Sequence, residues 1–166
     1  MKRFVVIAAF ILSVLGIGAS VQAQLSEMEN PLIGKPAPDF SLESVKNGKV
    51  SLTKLRDGKS AIVFFWATWC PHCRRQLGEL NARAAEIEKK GIKIILIDLG
   101  ENAKQVSAYL GKQGINLDAV LDENSSLADE YGLVGVPTFY LIDKKGVVKA
   151  MEHVLPENYE QILSGG

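Results

Sequence analysis

Cysteine is scarce in this chain of 166 residues, which contains two. Two cysteines are too few for the small secreted domains that several disulfides hold together. Net charge is also lacking, because 19 Lys and Arg residues balance 19 Asp and Glu residues. Without a basic field, we expect no nucleic-acid partner. Internal repeats and low-complexity segments are absent as well, and 47% hydrophobic with 23% charged residues is a globular composition.

The longest uncharged run lies at the N-terminus. Lys2 and Arg3 precede a stretch without charged residues over positions 4–21, which is typical of a secretory signal. Val21-Gln22-Ala23 then offers a signal-peptidase site, with cleavage before Gln24. The run is also nearly long enough to span a membrane as a helix, so a retained anchor stays open as the alternative.

These features predict three segments. Residues 1–23 form a signal peptide or an N-terminal membrane anchor, residues 24–33 a linker, and residues 34–166 one folded domain. In either case the domain lies outside the cytoplasm, in the periplasm or on the extracytoplasmic face of a bacterial membrane. Contact with the membrane is expected only through residues 4–21, and only if they are not cleaved.

The sequence of residues 34–166 predicts an α/β domain built around one parallel pair of strands. Residues 61–66 and 92–99 are apolar runs rich in β-branched and aromatic residues, which indicates buried strands. Between them, apolar residues recur at helical spacing from Cys73 to Ile87, and Gly91 supplies a helix stop. A strand, a helix and a second strand in that order form a parallel βαβ unit.

Further elements are expected on both sides of this unit. The Asn47-Gly48 turn predicts an N-terminal β-hairpin whose strands contain Phe40 and Leu42, then Val50 and Leu52. The other predicted elements are a helix over residues 102–114, a strand over 119–121, a helix over 125–131, strands over 136–142 and 147–154, and a last helix from Pro156.

Both cysteines lie in Cys70-Pro71-His72-Cys73, where the first buried strand ends and the helix begins. The N–H groups at a helix N-terminus favour an anion, and the thiolate is the nucleophile in thiol–disulfide exchange. We therefore expect Cys70 to be an exposed nucleophile at the helix start, with Pro71 at the first helical position. Cys73, one turn later on the inward face, would attack Cys70 and release a mixed disulfide.

The surroundings of the pair allow simpler interpretations as well. His72 is expected to stabilise the Cys70 thiolate, although a merely solvated side chain is the alternative. Trp69 could line a docking surface beside the nucleophile. A zinc site is disfavoured because the chain has no third cysteine and His153 has no partner at ligand spacing. A purely structural disulfide would close too small a loop to stabilise the fold much.

A second segment, residues 135–139, has the sequence Gly-Val-Pro-Thr-Phe. Pro137 opens an apolar strand although it cannot donate to a ladder. Such a proline lies either at a sheet edge or in a tight turn with a cis peptide bond.

Together these segments resemble the thioredoxin superfamily, and more narrowly the exported thiol–disulfide oxidoreductases of the TlpA/ResA type. The similarity covers residues 34–163. It is carried by the stretch from Gly34 to Phe40, by the stretch from Phe65 to Cys73, and by the stretch from Tyr131 to Phe139 with Ile142-Asp143.

The resemblance implies a thioredoxin-like α/β sandwich. Its mixed central sheet is flanked by helices, with an extra N-terminal β-hairpin and a helical insertion after the second parallel strand. It also implies that Pro137 is cis and packs against the cysteine pair. The resulting site has Cys70, Cys73, His72 and Pro137 as catalytic residues and Trp69, Pro71 and Val136 as substrate-binding residues, with the Val136 backbone pairing with the substrate.

Three departures from the family pattern stand out. Phe64 occupies the place of a buried Asp in thioredoxins, and Gln76 that of a Glu in many ResA-like proteins. No carboxylate at these two positions can therefore accept a proton from Cys73. The Pro71-His72 dipeptide is more typical of exported disulfide oxidases than of ResA-like reductases.

The sequence thus predicts a thiol–disulfide oxidoreductase that acts as a reductase on cysteine-containing exported proteins. A membrane redox partner would recycle it, and no metal or organic cofactor is needed because the dithiol itself carries two electrons. Cytochrome c maturation is one process that uses such a site. The alternatives are a disulfide oxidase, a redox-silent thiol metal carrier and a peroxiredoxin-like peroxidase. In peroxiredoxins a Thr stands three positions before the nucleophile, whereas Thr68 stands two positions before Cys70.

Overall fold

One mixed sheet of seven strands organises residues 30–165, the part of the chain that the computed structural model describes. The strands are β1 (Leu42–Ser44), β2 (Gly48–Val50), β3 (Ser60–Trp66), β4 (Ile92–Leu99), β5 (Ala119–Asp122), β6 (Thr138–Ile142) and β7 (Val148–Glu152). Their order across the sheet is β2-β1-β5-β4-β3-β6-β7. The neighbours β3, β4 and β5 run parallel, whereas the other pairs are antiparallel. This is the predicted thioredoxin-like sheet, with the added hairpin at one edge.

Helices cover both faces of this sheet. Within residues 30–165 they are α1 (Leu52–Arg56), α2 (Pro71–Lys89), α3 (Ala103–Gln113), α4 (Leu127–Glu130) and α5 (Tyr159–Ser164). The predicted βαβ unit is confirmed, since α2 joins the parallel strands β3 and β4. The predicted helix after β4 is confirmed too: Asn102 and Gln105 form a capping box at the start of α3, and Gly114 ends it.

The folded unit begins at Leu32. The signal or anchor predicted over residues 1–23, and the linker as far as residue 29, lie outside the described residues. Within residues 30–165, no helix combines the length and the apolar character that crossing a membrane requires.

The predicted hairpin is present but shorter than expected. Leu42 pairs with Val50, as the alternation indicates. Leu52, however, does not continue the second strand and instead begins α1. The Ser51 hydroxyl accepts a hydrogen bond from the Lys54 N–H, and this N-cap starts a helix where the apolar pattern predicts strand.

Other boundaries also shift by one to three residues. β6 begins at Thr138 rather than at residue 136, because Pro137 has no N–H to donate to the ladder. The Val136–Pro137 peptide bond is cis, as predicted. The last helix begins at Tyr159, three residues after the predicted start at Pro156.

Apolar side chains pack on both faces of the sheet. Along β3, Phe64 and Trp66 face the side covered by α2, α3 and α5, while Val63 and Phe65 face the side covered by α1 and α4. Because side chains alternate along a strand, the same pattern in β4 puts Asp98 on the face of α2 and α3. Asp98 lies opposite Trp66 in the parallel register and is completely buried.

Candidate active site

Cys70 and Cys73 are joined by a disulfide at the N-terminus of α2. Cys70 is the capping residue and Pro71 the first residue of the helix, as predicted. The Cys73 N–H donates to the Cys70 Sγ at 3.2 Å. An amide donor directed at this sulfur favours a thiolate there once the disulfide is opened.

The expectation of an exposed Cys70 is wrong. Cys70 is only 5% exposed, and Cys73 is completely buried. Part of this covering comes from Val136, whose carbonyl oxygen lies 3.8 Å from the Cys70 Sγ. The burial of Cys73 on the inward face is as predicted.

The sheet brings the segment around Pro137 next to the cysteines. Val136 and Pro137 directly precede β6, and β6 pairs antiparallel with β3, the strand that leads into the cysteine motif. Val136 therefore reaches Cys70 although 66 positions separate them in the chain. The structure thus brings together the two segments that the sequence analysis singled out separately.

Exposed apolar side chains flank Cys70 in the chain, and another lies close before Val136. Among residues 30–165, the exposed large apolar side chains are those of Trp69, Val134 and Val154. Trp69 directly precedes Cys70 and is 68% exposed, while Val134 stands two residues before Val136. Pro71 and His72 are exposed in the first turn of α2. These side chains are available to a docked partner.

Phe64 and Gln76, two of the three departures from the family pattern, are both buried and packed against other side chains or backbone. The Phe64 ring stacks on that of Phe139, with the ring centroids 4.3 Å apart. The Gln76 side-chain amide donates to the His153 carbonyl oxygen at 2.8 Å. An aromatic ring and an amide donor therefore fill the places where related proteins have carboxylates.

Two carboxyl groups that the sequence analysis missed lie close to the turn before Cys70. Glu101 accepts hydrogen bonds from the Thr68 N–H and the Thr68 hydroxyl, both at 2.6 Å. It thereby holds the residue two positions before Cys70. Asp98 is completely buried, and within the described part of the chain neither of its oxygens accepts a hydrogen bond from an N–H or O–H donor.

A proton on Asp98 accounts for this arrangement. Burying an ionised carboxylate without hydrogen-bond partners costs far more free energy than burying the neutral acid. Burial, and next the negative charge of Glu101, raise the pKa of Asp98 from 3.8 to about 8. The signal in the sequence is a single Asp within the apolar run of β4.

His153 was considered in the sequence only as a metal ligand, and its actual contacts were missed. It follows β7, and its Nδ1 lies 2.8 Å from the Pro137 carbonyl oxygen. Within residues 30–165, no group of three or more His, Cys, Asp and Glu side chains is arranged to hold a metal ion.

Comparisons with known proteins agree with this site. Residues 33–151 match the model of the AhpC/TSA family. The thiol-disulfide oxidoreductase ResA of Bacillus thuringiensis (strain Al Hakam) is 30% identical over 144 residues, which are 87% of this chain and 82% of that relative. ResA of Geobacillus thermodenitrificans (strain NG80-2) is 31% identical over 150 residues, 89% of this chain and 86% of that relative.

Solved structures show the same similarity. The crystal structure of a thiol:disulfide interchange protein of the thioredoxin family from Chlorobium tepidum TLS superposes with a TM-score of 0.62 at 28% identity. The superposition covers 78% of this chain and 94% of that one.

Proposed function

We propose that this chain, which belongs to the AhpC/TSA family and is a thiol–disulfide oxidoreductase of the ResA type, reduces disulfides of cysteine-containing proteins outside the cytoplasm. The observation that carries the proposal is the Cys73 N–H, which is directed at the Cys70 Sγ at the start of α2. This donor favours the Cys70 thiolate, the form that attacks disulfides. The reductase direction rests on the resemblance to ResA-like relatives.

Reduction proceeds by two exchanges. The Cys70 thiolate attacks one sulfur of the substrate disulfide, forms a mixed disulfide and expels the other substrate sulfur, which takes up a proton. Cys73 then loses its proton and attacks the Cys70 sulfur. The Cys70–Cys73 disulfide forms, and the second substrate thiol leaves. Two electrons pass from the dithiol to the substrate, so the chemistry requires no organic cofactor.

Docking uses the surface around Cys70. The Val136 backbone, whose carbonyl oxygen is 3.8 Å from the Cys70 Sγ, pairs with an extended segment of the substrate. Pro137 shapes this backbone for pairing. Trp69 and Pro71, which flank Cys70 in the chain and are both exposed, supply apolar contact.

Each reductive cycle leaves the chain oxidised, so a donor must return two electrons. We propose a redox partner in the membrane for this step, because the N-terminal sequence of a basic start and an uncharged run over residues 4–21 indicates export. Cytochrome c maturation is a process that needs such reduction, because its apoproteins carry cysteine pairs.

A disulfide oxidase is the second candidate, and the Pro71-His72 dipeptide favours it. His72 is exposed in the first turn of α2, where a cationic imidazole would stabilise the Cys70 thiolate. That stabilisation acts on the reduced form alone and therefore raises the reduction potential. In this direction the same exchanges run backwards: a substrate thiolate attacks Cys70, and Cys73 leaves.

Single serine variants of the full chain test the exchange. Cys73→Ser is expected to accumulate mixed disulfides with other proteins, because the resolving thiol is gone. Cys70→Ser, the matched control with the same atom exchanged, should capture none. Faster alkylation of Cys73 than of Cys70 in the reduced protein would contradict the assigned roles.

The redox state in the cell tests the direction. Thiols are alkylated in acid-quenched cells, and the mass of the protein is then measured. A pair found mainly as the dithiol supports the reductase, and a pair found as the disulfide supports the oxidase. Direct consumption of peroxide by the purified protein would instead favour a peroxidase, and stoichiometric bound metal would favour a carrier.

A further inference from the structure

The Pro137 carbonyl group lies just outside a hydrogen-bonded ladder. The register of β6 against β7 starts with Phe139 opposite Glu152, and Pro137 precedes it. A carbonyl outside a ladder takes its hydrogen from a side chain or from water. His153, the exposed residue after β7, provides a donor from the chain itself, because its Nδ1 is 2.8 Å from the Pro137 oxygen.

The hydrogen in this contact belongs to the imidazole ring. A carbonyl oxygen can only accept, so Nδ1 must be the donor. The Thr138 hydroxyl oxygen is also near Nδ1, at 3.3 Å, but it donates its own hydrogen to the Gly135 carbonyl at 2.7 Å. Both oxygens therefore accept from Nδ1, and this selects the ring form with hydrogen on Nδ1.

The backbone of His153 makes a second contact. Its carbonyl oxygen accepts a hydrogen bond from the Gln76 side chain at 2.8 Å. Gln76 is buried on α2, three residues after Cys73. His153 thus connects the helix that carries both cysteines with the segment that contacts the Cys70 sulfur.

We propose that His153 is a positioning residue for substrate docking. By holding the Pro137 carbonyl, the ring fixes the orientation of Val136, whose own carbonyl oxygen lies 3.8 Å from the Cys70 Sγ. An extended substrate segment can pair with Val136 only while this backbone keeps its place beside the reactive sulfur. The inference rests on the proposed function, and it assigns a docking role to a residue outside both motifs.

Three variants of the full chain separate positioning from folding. His153→Asn keeps an N–H near the place of Nδ1, His153→Gln carries its N–H further out, towards the place of Nε2, and His153→Ala removes the donor. The probe is a disulfide-linked pair of short peptides, reduced by the dithiol form of each protein. We expect KM to rise about five- to tenfold in the Ala and Gln variants, with the effect on KM exceeding that on kcat. The Asn variant should stay within about twofold of the wild type.

The outcomes distinguish the two claims. Wild-type KM in the Ala and Gln variants overturns the inference, and so does an Asn variant as impaired as the Ala variant. A loss that falls mainly on kcat, or a shifted reduction potential of the cysteine pair, also overturns it, because His153 would then act on the dithiol itself. If the wild-type protein reduces no peptide disulfide, the proposed function fails and the inference fails with it.

Discussion

Glu101 holds Thr68 in the turn that leads to Cys70, and its negative charge acts on the completely buried carboxyl group of Asp98. Burial and this charge raise the pKa of Asp98 to about 8. The chain therefore keeps a protonated acid near its cysteine motif, although Phe64 and Gln76 replace the carboxylates of related proteins. A buried acid that stays neutral reduces stability wherever the solvent favours its ionised form.

Asp98→Asn is expected to stabilise the protein at neutral pH. Because the pKa of Asp98 is raised from 3.8 to about 8, the favourable contribution of its protonated form is complete below pH 3.8 and is lost as the pH rises towards 8. Asn has nearly the same shape as Asp and does not titrate. Urea unfolding at a series of pH values should show a gain of about 4 kcal/mol at pH 7 and almost none near the ordinary pKa.

The control for this prediction is Asp129→Asn, which removes an exposed carboxylate on α4. It should leave the pH dependence of the free energy of unfolding nearly as in the wild type. If Asp98→Asn and the wild type lose stability in parallel between pH 4 and 8, Asp98 is ionised in the folded protein and its pKa is not raised.

Gln76→Glu, which introduces the residue of many ResA-like proteins, is expected to destabilise this protein. The Gln76 amide donates to the His153 carbonyl oxygen, whereas a carboxylate there would face that oxygen without a hydrogen. We expect a loss of about 1–3 kcal/mol at pH 7 in urea unfolding. The loss should shrink at low pH, because a protonated Glu can donate again. Gln161→Glu on the exposed side of α5 is the control, and equal losses in both variants would refute the role of the buried amide.

His72→Pro is expected to lower the reduction potential of the cysteine pair. The variant removes an imidazole from the first turn of α2 but keeps the Cys73 N–H that is directed at the Cys70 Sγ. A loss of about 1.4 kcal/mol in thiolate stabilisation corresponds to a fall of about 30 mV. Titration against glutathione measures the potential, with Arg75→Ala, an exposed cation one turn away, as the control. An unchanged potential together with an unchanged Cys70 pKa would exclude His72 from the mechanism.

Trp69→Ala is expected to weaken docking with little effect on stability. The side chain is 68% exposed, so its removal leaves no cavity in the core, while a docked protein would bury it. KM for a protein disulfide should rise several-fold, and the midpoint of thermal unfolding should stay within a few degrees of the wild type. Trp66→Ala, at a completely buried position, should instead lower the midpoint of thermal unfolding strongly, with the smaller effect on KM. Unfolding as severe as that of Trp66→Ala would place Trp69 in the core instead.

The mature protein is expected to begin at Gln24, because the sequence predicts a signal-peptidase site at Val21-Gln22-Ala23. The intact mass of the protein recovered from the cell envelope measures this directly. Substituting Ala23 by a bulky residue such as Phe should block cleavage. A wild-type mass that still includes residues 1–23, found in the membrane fraction, would identify the segment as an anchor.

Features that depend on neighbours in the chain followed from the sequence by itself. The helical spacing from Cys73 to Ile87 predicted α2, and the two apolar runs predicted β3 and β4, because periodicity and burial on both faces leave a local pattern. Cys70 and Pro71 at the start of α2 were likewise predictable, since capping preferences act within one turn. Leu52 is the exception, because the Ser51 N-cap starts a helix where the alternation predicted a strand.

The tertiary structure decided how these parts meet. Glu101 reaches Thr68 across 33 positions and Gln76 reaches His153 across 77, and no local pattern encodes such contacts. Burial of Cys70 under Val136 also depends on the pairing of β6 with β3. The raised pKa of Asp98 has the same origin: a carboxyl group near the end of a strand is ordinary until the sheet and its helices exclude water from it and bring the negative charge of Glu101 near it.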